Sequence, residues 1–549
     1  MVEPLGKKSQ VKTRKGPVVL VIMDGVGYGK VPEGDAVARA YTPNLDRYTA
    51  EHPHTKLKAH GTAVGLPSDG DMGNSEVGHN AIGCGRVFAQ GAKLVSSSIE
   101  TGAMFEGATW NKLMNNAKTT KGAVHFIGLF SDGNVHSHID HLKAMITKAK
   151  EAGVSQVRVH ALLDGRDVGE TTALEYVLPF EEFLASLTDS TFDAQIASGG
   201  GRMNITMDRY NANWPMVEKG WETHVLGEGR TFATTKEAIE TLRKETEAID
   251  QDLPPFVIAK DGKPVGTIED GDSVIYFNFR GDRALEITAA FEEDEFSHFD
   301  RKRRPKVEYA GMMEYDGDLH IPAQYLVSPP SIDRTMGEYL ASTGVKQFAI
   351  SETQKYGHVT YFFNGNRSGK FKEDIETYEE IPSDIIPFEQ RPWMKAAEIT
   401  DRLIDVVDEG KYDFIRVNFP NGDMVGHTGS MAAVICSMEA LDISLGRLEK
   451  AVKKAGGVMI LTADHGNADD MYEVNKKTKA VTIKEDGNPK AKTSHSLNPV
   501  PCLIVDHGYQ GDYKKELKSD LGIASLAATC IELLGYEAPA DYEPSVLVW

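Results

Sequence analysis

Short apolar, β-branched runs recur along the chain, and each gives way to glycine and polar residues. Val18–Met23 leads into Asp24, Val124–Phe130 into 131–138, and Val157–Leu163 into Asp164-Gly165-Arg166-Asp167. Val274–Phe279 leads into Arg280-Gly281-Asp282-Arg283, Phe414–Phe419 into the loop holding Asp423, and Val458–Leu461 into Asp464-His465. Continuous runs of this kind predict strands buried on both faces. Between them, segments of helical period predict helices over His141–Ala152, Leu174–Leu187, Ala284–Phe291, Trp393–Asp408 and Ala432–Ala455. Strands alternating with helices predict an α/β fold with mainly parallel sheets. Ligands of such sheets bind beyond the carboxyl ends of the strands, where most of the polar clusters fall. Two polar stretches, Phe371–Ser383 and Glu485–Thr493, read as surface loops.

Composition bounds the function. A chain of 549 residues suggests roughly two to four domains. With 41% hydrophobic and 26% charged residues it reads as an ordinary globular protein. No apolar run approaches the roughly 18 residues of a membrane span. The basic start, with Lys7, Lys8, Lys12, Arg14 and Lys15, lacks the apolar stretch of a signal peptide and reads as a frayed, solvated tail. Cys84, Cys436, Cys502 and Cys530 form no C-x-x-C pair and read as buried free thiols, with the cytoplasm as the default compartment. A net charge of −21 argues against nucleic acid or an anionic membrane as partner. An anionic substrate would then need cationic residues gathered at its site.

Metal-ligand residue types are spread over both ends of the chain. They are Asp24, Ser75 in Gly73-Asn74-Ser75-Glu76-Val77-Gly78-His79-Asn80, Asp423 and His427 four apart, Asp464 and His465, and His495. Each alone has a plainer reading. Ser75 suits a helix N-cap, and Asp24 before Gly25, Gly27 and Gly29 suits a turn. Adjacent Asp464 and His465 point apart if they lie on a strand. Together, three aspartates, three histidines and a serine suit two divalent cations with a hydroxyl between them. Such a pair activates serine and clamps a phosphoryl group, and a helix start at Ser75 adds amides for a phosphate. The oxygen and nitrogen donors fit Mn²⁺, Mg²⁺, Zn²⁺ or Co²⁺. The absence of cysteine disfavours a structural zinc site.

The middle of the chain supplies arginines near strand ends: Arg166, Arg202, Arg209, Arg280 and Arg283, with Lys355 further on. Each alone would be a surface ion pair. As a group they form a candidate pocket for carboxylate and phosphate. Asp167 is a candidate acid or base on a substrate hydroxyl, or else an arginine's partner, and His136 is a candidate substrate contact. The split of residue types predicts one metal-binding domain, 1–89 and 319–549, with a second domain, 90–318, inserted in it. The joins lie near Phe88-Ala89-Gln90-Gly91 and Asp316-Gly317-Asp318-Leu319. A hinge is expected there, and solution scattering with substrate and metal would show compaction.

These blocks, in this order over nearly the whole chain, resemble the cofactor-independent phosphoglycerate mutases of the alkaline phosphatase superfamily. The resemblance implies an alkaline-phosphatase-like domain carrying an inserted transferase-like domain. It implies metal-dependent interconversion of 3-phosphoglycerate and 2-phosphoglycerate without 2,3-bisphosphoglycerate. Two divalent ions (Mn²⁺, Mg²⁺ or Co²⁺) would be held, one by Asp24, Ser75, Asp464 and His465, the other by Asp423, His427 and His495. Ser75 would carry the phosphoryl group, Lys355 would steady its charge, and Asp167 would move protons. His136, Arg166, Asp167, Arg202, Arg209, Arg280 and Arg283 would hold glycerate. The expected state is a monomer. The alternatives are a phosphomonoesterase or another phosphosugar mutase of that superfamily, or a catalytically silent binding protein. The polar stretches 243–266 and 472–492 have no reading from this resemblance.

Overall fold

In the computed structural model the described residues are all but 1, 13, 67–68, 90, 210–211, 316–319, 329–331, 476–477, 479 and 485. The chain divides into two compact units, Met1–Gln90 with Ser331–Trp549, and Gly91–Pro330. The join expected at Asp316–Leu319 lies outside the described residues. The second unit runs past it because Tyr325–Val327 pairs in parallel with Glu308–Met313 and extends that unit's sheet.

The first unit is built on a seven-stranded sheet in the order Glu376–Ile381, Gln347–Glu352, Phe414–Phe419, Val18–Met23, Val458–Thr462, Val500–Asp506, His54–Leu57. The first five run parallel, and the last two pairings are antiparallel. Val18–Met23 lies at the centre with every residue buried, which is why it reads as an unbroken apolar run. Helices such as Ala396–Glu409 and Met431–Ala455 cover the sheet. The parallel register sets Met23 beside Phe419 and Ile22 beside Thr462, so Asp24 and the segments carrying Asp423 and Asp464 leave the sheet at one edge.

The second unit has its own sheet, in the order Tyr325–Val327, Glu308–Met313, Ser273–Tyr276, Val124–Phe130, Gln156–Leu163, Asp193–Gly201, Phe256–Lys260, Arg230–Phe232. Its pairings are parallel except where Phe256–Lys260 meets Asp193–Gly201, and a short hairpin adds Lys263–Pro264. The stretch 243–266 is thus mostly structural: it ends a helix, makes one 3₁₀ turn at Asp250–Asp252 and supplies this strand pair.

Three expectations change. Phe371–Ser383 is not simply a loop, since Glu376–Ile381 is the edge strand of the first sheet. The N-terminal segment is not frayed. Arg14 is buried between Asp506 and Asp512 at 2.6 and 2.5 Å, and Lys8 reaches Glu532 at 2.7 Å. Cys84, Cys502 and Cys530 are buried free thiols, but Cys436 is exposed on the outer face of Met431–Ala455. Among the described residues no helix is long and apolar enough to cross a membrane. Of the described part of the loop expected over 485–493, only 486–488 is exposed; beyond it the segment is half-buried, bridges back at Ile483 to Pro489 and Tyr472 to Ala491, and ends in the buried Thr493.

Candidate active site

In the first unit Ser75 opens the helix Ser75–Cys84. The N-cap is Asn74, whose Oδ1 accepts from Val77 N at 3.1 Å. Ser75 is therefore not the cap, and its hydroxyl is left for other partners at the positive end of the helix. Its Oγ accepts from Lys355 Nζ and lies 3.1 Å from His465 Nε2. Lys355, fully buried after the strand Gln347–Glu352, also reaches Asp423 Oδ2 at 2.7 Å and Asp24 Oδ2 at 2.9 Å. It stands at Ser75, within the first unit. Asp423 lies on the short helix Asn421–Gly426 and His427 just past it, so the spacing of four brings His427 Nε2 to 3.0 Å from Asp423 Oδ1. Asp464 and His465 lie beyond the end of Val458–Thr462. Their side chains converge, His465 Nε2 being 3.7 Å from Asp464 Oδ2, where a strand would have turned them apart.

The donors fit divalent cations, and the test is where the lone pairs point. His427 Nδ1 lies 2.6 Å from Thr493 O, and His495 Nδ1 lies 2.7 Å from Gly73 O. A carbonyl only accepts, so each Nδ1 carries the proton, and in the uncharged form that ligates a cation each ring turns an Nε2 lone pair inward. Those two Nε2 atoms are 3.0 Å apart, and Asp423 Oδ1 is 3.0 and 3.1 Å from them. Three acceptors at this spacing repel unless a cation lies among them. A second set comprises Asp24, Asp464 and His465, whose ligand atoms lie within 4.8 Å of one another, as do those of Asp423, His465 and His495. Asp24 Oδ1 and Asp464 Oδ2 are buried without a hydrogen bond, the nearest ring nitrogens being His465 Nε2 at 3.4 Å and His79 Nδ1 at 3.3 Å. Burial, and next the charge of Asp464, push the Asp24 carboxyl up to about 7, and the Lys355 ammonium beside it offsets this only in part. Burial also opposes charge on Asp423, but the Lys355 ammonium, 2.7 Å from Oδ2, outweighs it and the carboxyl lies well below the usual range.

Three residues with no sequence reading complete this site. His79 Nδ1 lies 2.8 Å from Ser75 O and its Nε2 3.2 Å from Asn418 Nδ2. Asn418 donates to Asp24 Oδ2 at 2.7 Å, and Asn467 to Asp423 Oδ1 at 3.2 Å. They orient the carboxylates as outer partners of a metal site do. Spacing gave a usable signal for His79, one helical turn after Ser75, and none for the asparagines.

In the second unit the arginines follow the carboxyl ends of parallel strands. Asp164 is the organiser. Its Oδ1 accepts from Arg166 N and Asp167 N at 3.1 and 3.0 Å and from Arg202 Nη1 at 3.0 Å, and its Oδ2 from Ser131 Oγ at 2.6 Å. Asp167 pairs with Arg202. Asp282 draws together Arg280 Nε at 3.1 Å, Arg209 Nη1 at 3.4 Å and His136 Nδ1 at 3.7 Å. Arg283 Nη1 donates to Met207 O at 2.5 Å. Burial, then the nearby Arg202, Arg280, Arg283 and Arg209, hold His136 well below its usual pKa and uncharged. Burial, then Arg209, Arg166 and Arg202, also depress Arg283, as crowded cations do. All seven predicted residues of this group are buried in the second unit. His138 caps the helix Ile139–Glu151, and His141 bonds Ser96 Oγ at 2.9 Å, so both are structural.

Known proteins resemble this chain over nearly its whole length. The profile of the metalloenzyme superfamily matches residues 16–538. A Leptospira interrogans protein named as a probable 2,3-bisphosphoglycerate-independent phosphoglycerate mutase is 55% identical over 99% of both chains. The Trypanosoma brucei brucei enzyme of that name is 53% identical over 96% of this chain and 97% of its own. A crystal structure of Leishmania mexicana phosphoglycerate mutase at low cobalt concentration superposes with a TM-score of 0.96 at 48% identity, covering 99% of each chain.

Proposed function

The chain belongs to the metalloenzyme superfamily and, within it, to the 2,3-bisphosphoglycerate-independent phosphoglycerate mutases, and we propose on that footing that it is a metal-dependent isomerase interconverting 3-phosphoglycerate and 2-phosphoglycerate. The observation that carries the mechanism is Ser75, held at a helix start against Lys355 beside two acceptor clusters.

Asp24, Ser75, Asp464 and His465 would hold one divalent ion, and Asp423, His427 and His495 the other, with Mn²⁺, Mg²⁺ or Co²⁺ suited to both. When bound, the ions supply Lewis acidity, lowering the pKa of a hydroxyl and neutralising phosphoryl charge. Ser75 Oγ, its proton already given up to solvent, attacks phosphorus as the alkoxide, the bond to the substrate oxygen breaks, and the phosphoryl group passes to Ser75; the second transfer returns Ser75 as the same alkoxide. Lys355 Nζ, already on Ser75 Oγ, offsets the charge of the transferring group. The helix amides after Asn74 receive its oxygens.

In the second unit the arginine cluster would bind the glycerate carboxylate and hydroxyls. Asp167 would take the proton from the attacking hydroxyl and return it to the departing one. Phosphoserine is then attacked by the other hydroxyl of the same glycerate, so 2,3-bisphosphoglycerate is not needed. The active species is proposed to be a monomer, acting in the glycolytic and gluconeogenic chemistry of the cytoplasm.

The test is a mutase assay on metal-stripped protein with 3-phosphoglycerate and no bisphosphoglycerate. Divalent ions are restored singly while 2-phosphoglycerate and free phosphate are both followed. Metal-dependent 2-phosphoglycerate with little phosphate is the expected result. Phosphate release alone would make the protein a phosphomonoesterase and overturn the roles given to the arginines.

A further inference from the structure

A file of buried polar side chains crosses the second unit's sheet and ends beside the arginine cluster. Asp272 Oδ2 lies 3.0 Å from His125 Nε2, and His125 Nδ1 lies 2.9 Å from His160 Nε2. His160 Nδ1 is 2.7 Å from Ser198 Oγ, Ser198 Oγ is 2.8 Å from His224 Nδ1, and His224 Nε2 is 3.0 Å from Thr206 Oγ1. None of the six residues is more than 5% exposed. Local backbone departures serve the file. The pairing register shifts at His160, which sets it opposite Ser198. His224 sits in a single π-turn, Glu222–Leu226. Gly220 leaves room for the Thr206 hydroxyl, since a Cβ there would stand 2.1 Å from Thr206 Oγ1.

One proton on each ring gives the file a single direction. Asp272 also accepts from Ala123 N and Glu269 N, both at 2.7 Å, and as a carboxylate it can only accept. His125 Nε2 therefore donates to it. His125 Nδ1 then accepts from His160 Nε2–H, and His160 Nδ1 accepts from the Ser198 hydroxyl. Ser198 Oγ accepts from His224 Nδ1–H, and His224 Nε2 accepts from the Thr206 hydroxyl. Burial, then His224, His125 and Arg158, hold His160 well below its usual pKa, and burial lowers His224 to about 3, so both rings are uncharged near neutrality.

At the inner end Thr206 has a left-handed backbone, φ 68°, a conformation that a β-branched residue adopts only under constraint. Its amide donates to Met216 O at 2.9 Å, and the next carbonyl, that of Met207, accepts from Arg283.

We propose that Asp272, His125, His160, Ser198, His224 and Thr206 are positioning residues: a one-way hydrogen-bonded relay that holds the Thr206–Met207 turn and, through the Met207 carbonyl, aims Arg283 at the substrate. The proposal rests on the reading of the arginine cluster as the glycerate site. Its mark is that a change anywhere along the file alters substrate affinity, whereas an inert buried network would alter stability alone.

Thr206→Val keeps the shape and removes the donor, and Thr206→Ser restores it. In the metal-loaded enzyme Thr206→Val should raise KM for 3-phosphoglycerate about tenfold, which is about 1.4 kcal/mol, with kcat within about twofold. Thr206→Ser should stay within about twofold of wild type. Histidine-selective ¹⁵N labelling of the wild type should find Nε2–H on His125 and His160 and Nδ1–H on His224. Asp272→Asn, five hydrogen bonds from Thr206, should scramble the His224 tautomer. Reversed or mixed tautomers in the wild type, a His224 tautomer unmoved by Asp272→Asn, or a Thr206→Val KM equal to wild type would each overturn the relay. If Thr206→Val does not fold, the wild-type tautomers and Asp272→Asn decide. Failure of the wild type itself to turn over 3-phosphoglycerate would sink the functional reading, and the tautomers would still report on the file.

Discussion

His427 and His495 face each other Nε2 to Nε2 across 3.0 Å, each ring locked by a backbone carbonyl on its other nitrogen. Two inward lone pairs beside the Asp423 carboxylate make a strained arrangement that a divalent cation relieves. Stripping metal should therefore lower stability as well as abolish mutase activity. At a metal concentration 100-fold above Kd, linkage predicts about 2.7 kcal/mol of added stability. Calorimetry of the apo and metal-loaded protein measures it. In His427→Ala the metal-dependent rise in Tm should shrink, and an undiminished rise would remove His427 from the proposed ligand set.

Ser75→Ala tests the nucleophile apart from the scaffold. The side chain is small, sits at the first position of its helix and is not the N-cap, so its loss should change stability by less than about 1 kcal/mol. Turnover should fall below detection, and acid-quenched protein should carry no phosphate from labelled substrate. A variant that still exchanges phosphate between the two hydroxyls would mean that no phosphoserine forms.

The buried Glu352, which ends its strand just ahead of the helix carrying Lys355, predicts a pH-dependent stability. Burial pushes its carboxyl up to about 7, against hydrogen bonds from Ser383 Oγ at 2.8 Å and Lys395 N at 3.2 Å that favour the charged form. The folded state then holds a proton that the unfolded chain, with a carboxyl near its ordinary value, has released. Stability contributed by this group is full at low pH and is lost as pH rises through the window from about 4.5 to about 7. The loss is of order 3 kcal/mol. Glu352→Gln should flatten that decline in denaturant titrations between pH 5 and pH 8. A wild-type slope retained in the variant would assign it to another group.

Much of this could be read from the chain, and the misses have physical causes. Val18–Met23, Val124–Phe130 and Phe414–Phe419 have the bounds that their apolar runs predict, because central parallel strands are buried on both faces. Glu376–Ile381 escaped because an edge strand needs only half its surface buried and can carry three glutamates. Arg14 escaped because a basic tail looks solvated until Asp506 and Asp512, nearly five hundred residues on, fold against it. The candidate ligands were legible as residue types after strand ends. Asn418 and Asn467 were not, since an asparagine at a strand end has no distinguishing pattern. The histidine file was also hidden, because it runs across strands and not along the chain.

Arg14 carries its own consequence. Its guanidinium is enclosed by two carboxylates that are themselves nearly unexposed. Removing it leaves their charge buried without compensation, a loss of about 3 to 5 kcal/mol. Arg14→Ala should lower Tm by several degrees while kcat, measured well below the transition, stays at the wild-type value. Loss of kcat at that temperature would show that the segment reaches the chemistry.

Gly78 separates helix propensity from site geometry. It lies inside Ser75–Cys84, where alanine is the better helix former by about 1 kcal/mol, so propensity alone predicts that Gly78→Ala stabilises. A Cβ there would stand 2.7 Å from Asp464 Cβ and 2.8 Å from Asp464 O, backbone and stem atoms with no freedom to swing aside. Helix and strand end must separate by about 1 Å to reach ordinary contact, and that movement carries Ser75 away from Asp464 and His465. Displacements of about 1 Å cost on the order of 100-fold in rate where reacting groups must be aligned. Gly78→Ala should therefore lose about two orders of magnitude in kcat at saturating metal, with weaker metal binding in titration calorimetry. Wild-type kcat in this variant would show that the helix start tolerates the displacement, and the tight placing of Ser75 proposed here would be wrong.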